Sequence, residues 1–245
     1  MKKLLGIVLT LCLCLCCVSA VAQTYTVATD TTFAPFEFED DNGKFVGIDM
    51  DLINAIAADQ GFEVDIQVLG FNAAVQALEA KQVDGVIAGM SITDARKEKF
   101  DFSEPYFDSG VCMGVAADNE DVKSYEDLAG KNVAVKTGTE GSAFAESVAE
   151  QYGFTLTYFE DSDNMYNDVI TGNSAACFED YPVLGYYISL TGRLKIVTDM
   201  EQGSSYGFAV SKGENAELLA MFNAGLKNLV ESGKYQEIMD TYIQK

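Results

Sequence analysis

Short β-branched runs alternate with longer stretches of helical periodicity along this chain, and the alternation occurs twice. Thr24–Thr29 reads as a strand, Ile48–Gln60 carries apolar residues at helical spacing and stops at Gly61, and Glu63–Val68 alternates like a strand. Ala73–Ala80 is helical and Gly85–Ala88 is a short buried strand. That order predicts a mostly parallel sheet covered on both faces. It then restarts with strands at Asn132–Val135, Thr155–Tyr158, Ala175–Phe178, Leu194–Val197 and Tyr206–Val210. The helices between and after them fall at Ser142–Tyr152, Asn164–Thr171, Tyr181–Leu190, Ala216–Ser232 and Tyr235–Tyr242. Two α/β units of about 100 residues each are expected, with ligand chemistry at the C-terminal ends of the strands. The acidic stretch Asp118–Asp127 reads as a solvated surface connection.

Residues 1–22 stand outside this pattern. Met1-Lys2-Lys3 is followed by an apolar run over 4–18, and Ala20-Val21-Ala22 supplies small residues for cleavage, which together predict a secretory signal. The run is shorter than the roughly 20 residues that cross a bilayer, and Cys14, Cys16 and Cys17 lack the small residue that precedes a lipid-modified cysteine. Cleavage after Ala22 removes two lysines and no acids, so the formal charge moves from −22 to −24. Of six cysteines it leaves Cys112 and Cys177, read either as buried small hydrophobes or as one disulfide. An extracytoplasmic, soluble monomer is expected.

The charge and residue inventory excludes several functions. With 38 acidic and 16 basic residues the chain would repel nucleic acid. With no histidine it has no Ser-His-Asp catalysis and no His-based metal site. No metal and no cofactor is expected.

Polar residues gather where predicted strands end. Asp30 lies among the aromatics of Thr29–Phe38, suited either to a helix cap or to a ligand, and Phe71 follows the second strand as core or pocket wall. After Ala88-Gly89-Met90-Ser91, a short helix carries Arg96, whose planar fork can grip both oxygens of a carboxylate. In the second unit Lys136-Thr137-Gly138-Thr139-Glu140-Gly141 forms a glycine-rich turn without a phosphate-loop pattern. Glu179-Asp180 follow another apolar run and can cap a helix or receive an ammonium group. One anion site and one cation site on different units suit a zwitterion, and an α-amino acid fits.

These segments, with Gly47-Ile48-Asp49-Met50-Asp51-Leu52, Asp101-Phe102-Ser103-Glu104-Pro105-Tyr106 and Asp127-Leu128-Ala129-Gly130-Lys131, resemble the periplasmic amino-acid-binding proteins that feed ABC importers, nearest among them to the glutamine binders. The resemblance implies a two-lobed α/β clamshell joined by two hinge strands. Lobe 1 would hold residues 23–108 and 205–245 and lobe 2 residues 109–204, with hinges near Phe107–Gly110 and Gln202–Tyr206. It implies that Arg96 clamps the ligand carboxylate with Ser91 and a backbone N–H near Glu140. Asp180 would take the ammonium group with the Gly89 carbonyl, and Phe33 and Phe71 would sandwich the aliphatic stem. Ala88, Met90, Thr139 and Glu179 complete the implied set.

Asp30 and Lys136 would face the side-chain end, where a donor and an acceptor together match an amide. Glutamine, delivered to a membrane permease, is therefore the expected ligand. Glu179, standing where the glutamine binders have His, would favour a basic amino acid if it faced the cleft. A dehydratase on the same fold, with Glu179 as a general acid, is the enzyme alternative.

Overall fold

The computed structural model describes residues 22–243, so the expected leader lies, but for its last residue, outside the described residues. The first part of the chain runs β1 (Thr24–Thr29), β2 (Phe38–Glu39), β3 (Phe45–Val46), α1 (Ile48–Gln60), β4 (Glu63–Val68), α2 (Phe71–Glu79), β5 (Gly85–Val86), α3 (Asp94–Lys97) and β6 (Phe100–Phe102). A long strand, β7 (Phe107–Ala116), leads into β8 (Asn132–Lys136), α4 (Glu140–Tyr152), β9 (Thr155–Phe159), α5 (Ser162–Ile170), β10 (Ala176–Asp180), α6 (Tyr181–Thr191) and β11 (Leu194–Ile196). The chain returns through β12 (Glu201–Tyr206) to β13 (Ala209–Ser211), α7 (Ala216–Ser232) and α8 (Lys234–Tyr242).

These elements form two lobes, each a sheet with helices on both faces. The first sheet has the order β4-β1-β5-β13-β6, with β1 parallel to β4 and β5, and β13 antiparallel to β5 and β6. The second has the order β11-β7-β10-β8-β9, with β8, β9 and β10 parallel and β7 antiparallel to β10 and β11. On one face of the first sheet Ile53 and Ile56 of α1 pack with Phe222 and Leu226 of α7 and Ile238 of α8; Phe71, Ala74 and Leu78 of α2 cover the other. Phe144 and Ala145 of α4 cover one face of the second sheet, and Met165, Val169 and Leu184 of α5 and α6 the other. Burial of this kind contributes about 1.5–3 kcal/mol for each large apolar side chain.

Two strands carry the chain between the lobes. β12 pairs antiparallel with β7, Tyr206 opposite Phe107 and Ser205 opposite Asp108, with an irregularity between Glu201 and Ser204. Gln202 there has φ 44°, the left-handed region that a side chain rarely occupies.

The structure departs from the sequence reading in several elements. Tyr206–Val210 is not one strand. Tyr206 ends β12 beside β7, whereas Ala209 pairs with Val86 and Phe102 in the first sheet. The chain changes sheet at Gly207, where an added Cβ would come within 2.8 Å of Ile92 Cδ1. Both α4 and α5 begin two residues early, because Thr139 and Asp161 accept the N–H groups of Ser142 and Asn164 as caps. The stretch 118–127 is more than a solvated connection. Ser124 and Asp127 form a capping box, and buried Val122 and Leu128 join the second lobe's core. Cys112 and Cys177 are buried free thiols, offset along adjacent strands because Cys112 faces Glu179 and Cys177 faces Gly114.

Candidate functional site

The C-terminal ends of β1 and β8 point at each other across the cleft. Asp30 follows β1, and Lys136 is the last residue of β8; both side chains are about 1% exposed and they form an ion pair. The other Asp30 oxygen accepts the backbone N–H of Thr31 at 2.6 Å and of Phe71, the first residue of α2, at 3.1 Å. No helix follows Asp30 for it to cap; it accepts instead the first N–H of the distant α2 and pairs with a lysine of the other lobe. The Lys136 ammonium group also donates to the Thr32 carbonyl at 3.3 Å and to Ser162 Oγ at 3.2 Å.

Arg96 reaches the cleft from α3, whose start is held by Thr93 Oγ1 accepting the Arg96 N–H. Its guanidinium donates to the Ser91 carbonyl at 2.9 Å and, across the cleft, to the Gly138 carbonyl at 3.1 Å. It lies over the Phe71 ring, 5.3 Å from the centroid, and 3.9 Å from Glu140 Oε1. Burial lowers its pKa from the ordinary value, with Glu140 and Asp180 opposing that shift. Two anchors and an aromatic floor fix the plane of the fork and leave further N–H donors for an anion.

Asp180 closes β10 and precedes α6, but its side chain caps no helix. It accepts instead from the Tyr206 hydroxyl at 2.5 Å, and that hydroxyl accepts from Ser109 Oγ at 2.9 Å. Burial first, and the adjacent Glu179 charge second, push its pKa up to about 7. Tyr206, fully buried on the strand that carries the chain back between lobes, escaped the sequence reading. A buried tyrosine needs a hydrogen-bond partner, but nothing in a polar strand names which one.

Asp30, Phe33, Phe71, Gly89, Ser91 and Arg96 from the first lobe, with Thr139, Glu140 and Asp180 from the second, surround a cavity of only about 10 Å³. That is room for about one water molecule, so the lobes are closed on each other. Gly89 adopts φ +50°, and a Cβ there would lie 2.3 Å from the Phe33 ring; this position requires glycine.

Four of the expected residues do not line that space. Ala88 and Met90 are buried in the core beneath α2. Lys136 stands behind Asp30. Glu179 lies deeper in the second lobe, accepting from Ser162 Oγ and the Tyr166 hydroxyl at 3.1 Å each and from the Asp180 N–H at 2.9 Å. Burial raises its pKa, with Lys136 opposing. The reason is register: β10 runs on to Asp180 rather than ending at Phe178, so successive side chains leave opposite faces and only one of the adjacent acids can enter the cleft. Tyr166, Ser162 and Thr32, which complete the network behind Lys136, also carried no sequence signal.

Among the described residues no group of His, Cys, Asp and Glu could hold a metal ion, and no helix is long and apolar enough to cross a membrane.

Known proteins are similar to this chain along most of its length. An arginine-binding periplasmic protein of Mannheimia haemolytica is 32% identical over 230 residues, 92% of this chain and 93% of its own length. An ancestral arginine-binding protein solved with bound glutamine superposes with TM-score 0.85 at 36% identity, covering 92% of this chain and 100% of that one. The second substrate-binding domain of Lactococcus lactis GlnP, in an open conformation, is 41% identical over 91% of this chain and 96% of that one, yet its TM-score is 0.60. Higher identity with poorer superposition fits two similar lobes set at a different angle. Residues 25–245 match the model of one family across both lobes, and the chain belongs to the bacterial extracellular solute-binding proteins, family 3.

Proposed function

We propose that this protein is the extracytoplasmic binding component of an amino-acid ABC transporter, and that it takes L-glutamine into the interlobe cleft. The observation that carries the reading is the placement of two opposite charges at each end of the cavity. At one end Arg96 offers N–H donors to a carboxylate while Asp180 offers an acceptor to an ammonium group. At the other end Lys136, held from behind by Asp30, Thr32 and Ser162, balances the Asp30 charge, so the side-chain end presents a polar but neutral wall. A cationic side chain there would find the Asp30 charge already neutralised and an anionic one would meet a carboxylate, whereas an uncharged amide can donate to Asp30. Phe33 and Phe71 provide apolar walls for the stem between. An ancestral arginine-binding relative, solved with glutamine and with arginine, is compatible with this reading and with the second one below.

The residues 23–108 and 205–245 form one moving body in this reading and 109–204 the other, hinged near Phe107–Gly110 and Gln202–Tyr206. Ligand enters with the lobes apart, and closure brings the groups of both lobes onto it and excludes water. The closed form then docks on a membrane permease.

A second reading, a basic amino acid, draws support from the arginine-binding relative. A thermal-shift panel of the twenty amino acids on protein unfolded and refolded to strip carried-over ligand separates the two. At 1,000 times its dissociation constant a ligand adds about 4 kcal/mol, on the order of a 10 °C rise for a chain of this size. A rise of that size with glutamine and a smaller one with arginine supports the first reading. The reverse order supports the second, and no rise with any amino acid removes both.

A further inference from the structure

Two carboxyl groups meet beneath the cavity-lining Gly89. The turn carrying Glu37 is tied to the start of α1 because the Ile48 and Asp49 N–H groups donate to the Pro35 and Phe36 carbonyls, both at 2.9 Å. Glu37 and Asp49 are both fully buried and within hydrogen-bond reach of each other. Neither Glu37 oxygen, nor Asp49 Oδ1, has any other partner. The remaining oxygen, Asp49 Oδ2, accepts the Gly89 N–H and the Tyr106 hydroxyl at 2.8 Å each.

Two buried carboxylates facing each other without a donor between them would cost several kcal/mol. One proton resolves this, and its location follows from the surroundings. Asp49 sits in the first turn of α1, where the helix dipole favours negative charge, and already accepts two hydrogen bonds. Glu37 accepts none. We propose that Glu37 is the protonated member of this pair, donating to Asp49 Oδ1, and that the shared proton positions Gly89 for ligand binding.

The charges facing the pair agree. Asp30, from the loop after β1, adds negative potential at Glu37, and Lys136 across the cleft offsets part of it. Tyr106, from the segment between β6 and β7, faces both carboxyls and donates to Asp49. Burial pushes Glu37 well above the usual carboxylate range and Asp49 to about 6. Tyr106 also donates its backbone N–H to the Tyr206 carbonyl at 2.9 Å, so the pair is linked to the returning strand as well as to the cavity. Loss of the proton at alkaline pH would put two charges under Gly89 and spread this contact.

The link to affinity rests on the amino-acid reading of the cavity; the proton itself does not, and the test separates them. Infrared spectra of the ligand-free protein at pH 7 should contain a protonated-carboxylic-acid carbonyl band that Glu37→Gln removes, separate from the contribution of half-protonated Asp180, which Asp180→Asn removes. Absence of the Glu37-dependent band from wild-type protein would overturn the proposal whatever the cavity binds. Glutamine affinity should fall about tenfold per pH unit once the pair deprotonates. Glu37→Met should weaken binding at pH 7 at least tenfold, and Glu37→Gln, which keeps a donor to Asp49, should restore it and reduce the alkaline fall to that of the ligand's own ammonium group. An alkaline profile in Glu37→Gln equal to wild type, or a Glu37→Met protein that binds as wild type, would also overturn it.

Discussion

Lys136 and Asp30, 106 residues apart in sequence, join the two lobes through a buried ion pair at the strand ends where ligand chemistry is expected. The pair ties closure to the side-chain end of the cavity. With Asp30 already satisfied by two backbone N–H groups and a cation, that end is polar but neutral.

Replacing Lys136 by Met leaves Asp30 buried without its cation. Removing one partner of a buried pair costs about 3–5 kcal/mol, a hundredfold or more in an equilibrium constant. Calorimetry should record such a loss for glutamine and a clearly smaller loss for arginine, whose guanidinium can replace the missing charge. Equal losses for both would contradict the amide argument.

Arg96→Lys should abolish most binding although it conserves charge. The planar fork reaches the Ser91 and Gly138 carbonyls together while lying on Phe71, and a lysine ammonium cannot reproduce that geometry. A drop of at least tenfold in affinity, with an unchanged circular dichroism spectrum, is the expected result. Wild-type affinity in the lysine variant would remove Arg96 from the carboxylate role.

Asp180 gives the pH dependence its acidic limb. Its pKa of about 7 in the closed protein means that below pH 7 it is mainly protonated and a poor acceptor for an ammonium group. Affinity should fall about tenfold per pH unit below that value and level off above it. The stability of the ligand-free protein responds with the opposite sign. A carboxyl whose pKa is raised on folding contributes less as pH rises from the ordinary carboxylate value towards 7. Affinity and melting temperature measured across pH 5–8 should therefore move in opposite directions as far as this group dominates.

Glu179→Gln should shift that acidic limb to lower pH, because it removes the neighbouring charge that helps to raise Asp180. Glutamine affinity at pH 8 should change only a few-fold, since Glu179 bonds Ser162, Tyr166 and the Asp180 N–H and does not line the cavity. An unshifted limb would show that Glu179 does not govern Asp180.

The sequence made the alternation of strands and helices legible because both units are locally consistent: periodicity, glycine stops and strand ends all agree. The same strand ends pointed to Asp30, Arg96, Lys136 and Asp180. What stayed hidden depends on tertiary contacts. The break at Gly207 is invisible to propensity, since an apolar run reads alike whether it stays in one sheet or crosses to another. The inward turn of Asp180 and the burial of Glu179 depend on where β10 ends, a matter of one or two residues. Tyr206 and the Glu37–Asp49 pair come from chain segments more than ten residues apart, brought together by backbone hydrogen bonds that no local pattern announces.

The most direct test is calorimetric titration of the stripped wild-type protein with glutamine and then with arginine at pH 8. Glutamine should bind saturably with one site per chain, and arginine at least tenfold more weakly. Arginine binding more tightly than glutamine would contradict the role given to Lys136, and failure of both to bind would contradict the amino-acid site itself.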